Sequence, residues 1–177
     1  MDLHLQPCTD SDLELLVRIS KTTFIDAFEK DNDPNDFKSY LAFAFDRNRL
    51  LKELEDQDTT FYFVYCGSEL VGYLKLNENQ AQTDIKSDES MELERIYVLQ
   101  AFQGRRIGKW MLDEAKKIAT GKRMAFLWLG VWEKNPRAIK FYQRHGFTKF
   151  GTHPYYIGKD RQTDWLMRVD LRNFDSE

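Results

Sequence analysis

The segment Gln103-Gly104-Arg105-Arg106-Ile107-Gly108-Lys109 places two glycines and three cationic side chains between an apolar run ending at Val98 and a helical repeat opening at Ile107. The first turn of a helix carries backbone N–H groups without internal partners, at the positive end of the helix dipole. A glycine-containing approach lets that backbone come close to an anion, so the position suits a pyrophosphate. Arg105, Arg106 and Lys109 add charge there. An ordinary strand–helix turn with solvated basic residues has the same composition, and both readings stand at this level. Two nucleotide-binding patterns fit less well. Gly104 to Lys109 is one residue short of the Walker spacing and has no Ser or Thr after the lysine. The dinucleotide fingerprint needs three glycines where this loop has two.

Other residue types with chemical potential are scattered. Glu92 and Glu94 lie two apart in an extended run and therefore share a face. Either can accept a substrate proton, directly or through water, or serve as a solvated or ion-paired carboxylate. Asn135 precedes Pro136, the pattern of a helix N-cap followed by proline at the first helical position. On that helix Tyr142 sits beside an apolar stripe, where spacing alone reads it as a core tyrosine. Asp26, Glu29, Asp31, Asp33 and Asp36 gather among aromatic residues. Spaced carboxylates with aromatic walls suit a polycation, and the same residues also make an ordinary solvated loop. His153, Tyr155 and Tyr156 are candidates for the far side of a cleft. His4, His145 and His153 show no metal-ligand spacing, so no metal is expected.

The elements that must position these groups follow from periodicity. Leu3 to Pro7 opens as a strand, followed by a helix carrying Leu13, Leu16, Val17, Phe24 and Phe28, with a break expected near Ser20. A helix from Asp33-Pro34 and a short one carrying Leu50, Leu51 and Leu54 come next. Phe61 to Cys66, Leu70 to Leu76 and Met91 to Val98 read as strands, the first two joined by a turn at Gly67-Ser68. A helix runs from Ile107 to Gly121, then a wholly buried strand from Ala125 to Trp132, then the Asn135-capped helix ending at Gly146. Phe147 to Phe150 and Thr163 to Leu171 close the chain as strands. Strand and helix do not alternate throughout, which argues against a doubly wound sheet. The expected fold is α+β: a mixed, mainly antiparallel sheet of six to seven strands, flanked by helices, with one parallel crossover in the middle.

Composition bounds the function. The chain has 177 residues and 42% hydrophobic content, the size of one domain spanning residues 1–177. A formal charge of −3 offers no basic surplus for nucleic acid and tolerates a cationic substrate. Two cysteines, Cys8 and Cys66, are too few for a disulfide framework. The N-terminus shows no secretory pattern, and no apolar run approaches a membrane span. A cytoplasmic protein without membrane attachment, monomeric or homodimeric, is the expectation.

With these residues in view, the chain resembles the GNAT family of acetyltransferases. Gln103 to Gly108 matches the family loop Gln/Arg-x-x-Gly-x-Gly/Ala at its first and last positions, with Arg106 in place of the usual first glycine. The block Trp132-Glu133-Lys134-Asn135-Pro136-Arg137-Ala138-Ile139-Lys140-Phe141-Tyr142, followed by Gly146-Phe147, matches a second family block. Thr23-Phe24 with Asp26 and Phe28, the run Trp128 to Asn135, and Gln162-Thr163-Asp164 are similar to the PaiA type of spermidine/spermine acetyltransferase.

The resemblance implies a GNAT fold, its central parallel strands splayed at the cofactor site, with acetyl-CoA as cosubstrate. It implies that Ile96, Tyr97 and Val98 present their backbone to the pantetheine arm, the Val98 N–H facing the thioester carbonyl. Gln103 through Lys109 would hold the pyrophosphate, and Asn135, Ala138 and Tyr142 would contact the CoA arm. Tyr142 becomes the candidate general acid for the departing sulfur, and Glu94 or Glu92 the candidate base. Phe24, Asp26, Glu29 and Tyr155 become candidates for binding the amine, most simply a polyamine. Another small amine, a protein N-terminus, or CoA binding without catalysis are the alternatives.

Overall fold

The computed structural model describes residues 1–172. The first strand, β1 (Leu3–Pro7), leads to three helices: α1 (Leu13–Phe28), α2 (Pro34–Ala44) and α3 (Arg47–Glu55). A hairpin of β2 (Thr59–Cys66) and β3 (Glu69–Glu78) precedes β4 (Ser90–Val98). Then come α4 (Ile107–Gly121), β5 (Phe126–Trp132), α5 (Pro136–Arg144) and the hairpin β6 (Thr148–Ile157) and β7 (Asp160–Asp170).

Local chemistry accounts for most boundaries. Asp33 and Asp46 cap α2 and α3 through their side chains, and Asn135 caps α5 by accepting from the Ala138 N–H at 3.2 Å. The expected break near Ser20 does not occur. Ser20 and Thr23 are buried within α1, where the Thr23 hydroxyl donates back to the Ile19 carbonyl at 2.8 Å. The final hairpin is longer than the expected strands, because residues 151–162 lack a clean alternation. Gly151 and Pro154 obscure the pattern, yet proline is tolerated since β6 lies at the sheet edge.

The seven strands form one sheet in the order β1-β2-β3-β4-β5-β7-β6. Only β4 and β5 run parallel, connected by α4. One face packs Leu74, Leu93, Leu127 and Met167 against Met111, Leu112 and Ala115 of α4 and Ile139 of α5. The other packs Phe61, Phe63 and Tyr73 under Leu16 and Phe24 of α1, Phe37 of α2 and Leu50 of α3. Among the described residues, no helix is long and apolar enough to cross a membrane.

Two irregularities shape the centre. β4 and β5 pair only at Ser90–Phe126, Met91–Leu127 and Glu92–Trp128, and beyond that they part. From there β4 keeps β3 and β5 keeps β7, so a gap opens between two intact half-sheets. In β4 an extra residue, Glu94, sits between the Leu93–Leu76 and Arg95–Lys75 pairs. Such a bulge strengthens the local twist and re-aims the following side chains.

Candidate active site

The gap between β4 and β5 widens into a cleft of about 240 Å³. Its β4 wall comprises Glu94, Arg95, Ile96 and Tyr97, and its β5 wall Gly130 and Trp132. α5 contributes Asn135, Ala138 and Tyr142, and α1 contributes Phe24 and Phe28. Tyr155 of β6 and Gln162 and Asp164 of β7 close the far side. Phe28 and Trp132 meet edge to face at 6.5 Å, and the Tyr40 and Tyr155 hydroxyls share a short hydrogen bond.

At one end of the cleft the backbone of β4 is available. The Leu99 N–H donates to Val71 of β3 at 2.8 Å. Successive strand amides point to opposite edges, so the Val98 N–H points away from β3 and toward the gap. On that same edge the Val98 carbonyl accepts from the Gln103 side-chain amide at 3.2 Å. The chain then passes Gly104 (φ 78°) and Arg106 (φ 63°) into α4. Arg106 thus adopts the left-handed conformation that glycine would take more cheaply. The first α4 bond runs from the Trp110 N–H to the Arg106 carbonyl, and no side chain caps the helix. The N–H groups of Ile107, Gly108 and Lys109 therefore have no acceptor among the described residues. A Cβ at Gly108 would lie 3.8 Å from Phe141 and 4.0 Å from Val98, so the mouth of α4, the end of β4 and α5 converge. Of the basic residues, Arg105 lies over the Phe102 ring and Lys109 pairs with Asp113 at 2.6 Å.

The three carboxylates near the cleft differ sharply. Glu94 meets Lys75 at 2.5 Å and Arg95 at 3.6 Å, and Lys75 also holds Glu53 at 2.9 Å. Burial pushes the Glu94 carboxyl up, but these two cations prevail and hold it below the usual range. Glu92 is only 2% exposed and does not line the cleft. Its oxygens accept from the Asn77 amide (3.0 Å), the Thr83 N–H (2.8 Å) and the Thr83 hydroxyl (2.5 Å), which anchors the β3–β4 connection. Burial, and then the Glu94 charge, lift it to about 7. Asp164 lines the cleft and is lifted to about 6, chiefly by burial, with His153 opposing and Glu133 adding to the shift. Burial also pushes Tyr142 up to about 12, so its phenol stays protonated at neutral pH.

These shifts predict a pH profile of stability. Glu92 and Asp164 bind protons more tightly folded than unfolded. Their contribution is complete below the ordinary carboxylate range and is lost as pH rises through about 6 and 7. Glu94 has the opposite sign: its stabilisation is present above that range and is lost as pH falls through its lowered pKa. Melting temperature should therefore peak at about pH 5, and Glu92→Gln should flatten the decline between pH 6 and 8. A wild-type melting temperature that rises from pH 6 to 8 would contradict both raised carboxylates.

Of the residues expected to bind substrate, Phe24 and Tyr155 line the cleft, whereas Asp26 and Glu29 are exposed and outside it. Sequence reading passed over Arg95, Trp132, Gln162 and Asp164 as individual site residues. One signal for Asp164 was present: Gly130 interrupts an otherwise apolar strand, a sign of close approach by another group. A Cβ there would stand 3.3 Å from the Asp164 carboxylate.

A split parallel strand pair, with an uncapped helix mouth at one end and an aromatic, carboxylate-bearing cleft at the other, is the architecture of an acyl-group transferase. The Acetyltransferase (GNAT) family model matches residues 19–147. An uncharacterized N-acetyltransferase of Lactobacillus delbrueckii subsp. lactis is 38% identical over 92% of this chain and 94% of its own. A spermidine N(1)-acetyltransferase of Thermoplasma acidophilum is 25% identical over 83% of this chain and 89% of its own. The crystal structure of PaiA N-acetyltransferase from the same organism, in complex with coenzyme A, superposes with a TM-score of 0.76. It has 21% identity and covers 96% and 99% of the two chains. The chain belongs to the GNAT family of acetyltransferases. It is an N-acetyltransferase, with acetyl-CoA as acetyl donor. No cluster of ligating side chains that would hold a metal occurs among the described residues.

Proposed function

We propose that this enzyme acetylates a primary amine of a small polycation, with spermidine and spermine as the leading acceptors. The observation that carries this reading is the cleft itself. Phe24, Phe28, Trp132 and Tyr155 form aromatic walls around the Asp164 carboxylate, beside the unpaired edge of β4. Aromatic faces and carboxylates both favour an ammonium group. Gln162 bonds to Asn32 at 2.8 Å, which brings the cleft rim beside the segment carrying Glu29, Asp31, Asp33 and Asp36. A second ammonium of a polyamine would find its counter-charge there. The similarity to a spermidine acetyltransferase supports the same acceptor class.

The chain's own groups fit acetyl-CoA. The free N–H groups of Ile107, Gly108 and Lys109 suit its pyrophosphate, with Gln103 to Arg106 shaping the turn and Asn135 and Ala138 bordering the arm. Ile96, Tyr97 and Val98 present the strand edge, and the Val98 N–H stabilises charge developing on the carbonyl oxygen, an effect of about 3 kcal/mol for one well-placed donor. The bound thioester supplies an activated acetyl group. Tyr142 lines the cleft without a hydrogen-bond partner among the described residues and donates to the departing sulfur.

Thiol release with spermidine, spermine, amino acids and peptides tests the acceptor class. Turnover with amino acids or peptides in place of polyamines would overturn it. Tyr142→Phe should lower kcat by at least about 100-fold while leaving the stabilisation by acetyl-CoA in thermal melts unchanged. Equal turnover of both forms would remove Tyr142 from this role.

A further inference from the structure

We propose that Asp164 is the proton acceptor for the incoming amine, an inference that rests on the transferase reading above. Among the charged residues that line the cleft, Asp164 is set apart by its freedom. Glu94 is committed to Lys75 and Arg95. Glu92 lies outside the cleft with both oxygens occupied. The Asp164 carboxylate makes no hydrogen bond and no ion pair with any described residue, although its backbone is paired within the sheet. Its strand neighbour His153 turns to Asp84 instead, with Nδ1 2.9 Å from Oδ2.

The backbone makes room for this carboxylate. Asp164 pairs with Trp132 across β7 and β5, and leans over Gly130, where any side chain would crowd it. Glu133 just past β5, His153 and Tyr155 from β6, Glu94, Arg95 and Tyr97 from β4, and Tyr142 from α5 are the titratable groups around it and the cleft. Glu133 and His153 act in opposite directions, and burial is the largest influence on its basicity. The cleft walls are largely aromatic, and an unpaired carboxylate among them has an ammonium ion as its natural partner.

The chemistry balances. The acceptor enters with three N–H bonds and leaves as an amide with one. Asp164 takes the first proton, freeing the lone pair that forms the C–N bond as the C–S bond breaks. The second proton leaves as the amide forms, matched by the proton that Tyr142 supplies to the sulfur. One proton is released to solvent per turnover.

The test is the pH dependence of kcat for wild type, Asp164→Asn and Asp164→Glu with spermidine, or with whichever amine wild type accepts. Wild type should lose activity as pH falls through about 6. Asp164→Asn should lower kcat by about 10²–10⁴-fold, abolish that acidic limb and leave the acetyl-CoA KM unchanged. Asp164→Glu should restore part of the rate. With methoxyamine, which is already neutral at pH 7, the deficit of the Asn variant relative to wild type should shrink at least about tenfold, an outcome that no merely structural role would produce. Asp164→Asn should also melt at or above wild type at pH 8, since it no longer buries a charge there. Wild-type turnover together with an Asn variant within threefold of it, acidic limb intact, overturns the inference alone. Should wild type release no thiol with any amine, the transferase reading falls and this inference with it.

Discussion

Glu94→Gln is expected to destabilise the protein by about 3–5 kcal/mol, the range for stripping one partner from a buried ion pair. The reason lies in the bulge of β4, which adds Glu94 to the same side of the sheet as Lys75 and Arg95. The Lys75 and Arg95 side chains are only 5% and 14% exposed. Lys75 would keep Glu53, whereas Arg95 would have the Phe45 ring and no carboxylate. Its Nη1 is already buried without a hydrogen bond among the described residues. Lys75→Met should be damaging too, and the double variant should be less damaging than the sum, because each substitution removes the partner that the other strands. Chemical denaturation gives all three numbers. If Glu94→Gln costs under about 1 kcal/mol, as for a surface pair, the network is not an internal strut and Glu94 is free for other work.

Gly108→Glu is expected to separate stability from cofactor binding. Space exists for the Cβ, since the nearest atoms lie at 3.8 and 4.0 Å. A carboxylate in the first turn of α4 favours the helix by about 0.3–1 kcal/mol, and replacing glycine adds about as much again. The same carboxylate occupies the anion position, so acetyl-CoA affinity should drop at least about 100-fold, the scale of a few kcal/mol. Thermal melts should show an apo protein as stable as wild type or more so, with no shift on adding acetyl-CoA. A full cofactor-induced shift in this variant would move the pyrophosphate away from α4.

Arg106 illustrates how a family departure is resolved in three dimensions. The residue occupies the left-handed conformation that the usual glycine serves, so the turn keeps its shape despite the side chain. What the helix mouth offers an anion is backbone, and the exchange of glycine for arginine at 106 leaves those N–H groups in place.

Local chemistry was legible in the sequence because it depends on neighbours in the chain. The Asn135-Pro136 cap, the start of α4 at Ile107, the two-sided burial of β5 and the parallel crossover all follow from side-chain pattern and cap geometry. Two motif blocks in order sufficed for the family. The cleft is different. Glu92 and Glu94 share a face by strand alternation, yet one is locked by Asn77 and Thr83 and the other by Lys75 and Arg95, partners from separate segments. Asp26 and Glu29 lie beside Phe28 in the chain but are exposed, while Asp164, near the end of the chain, enters the cleft through strand pairing with β5. Proton affinity in such a site is set by burial and by charges brought together through space, and those are properties of the packed sheet rather than of any one stretch of chain.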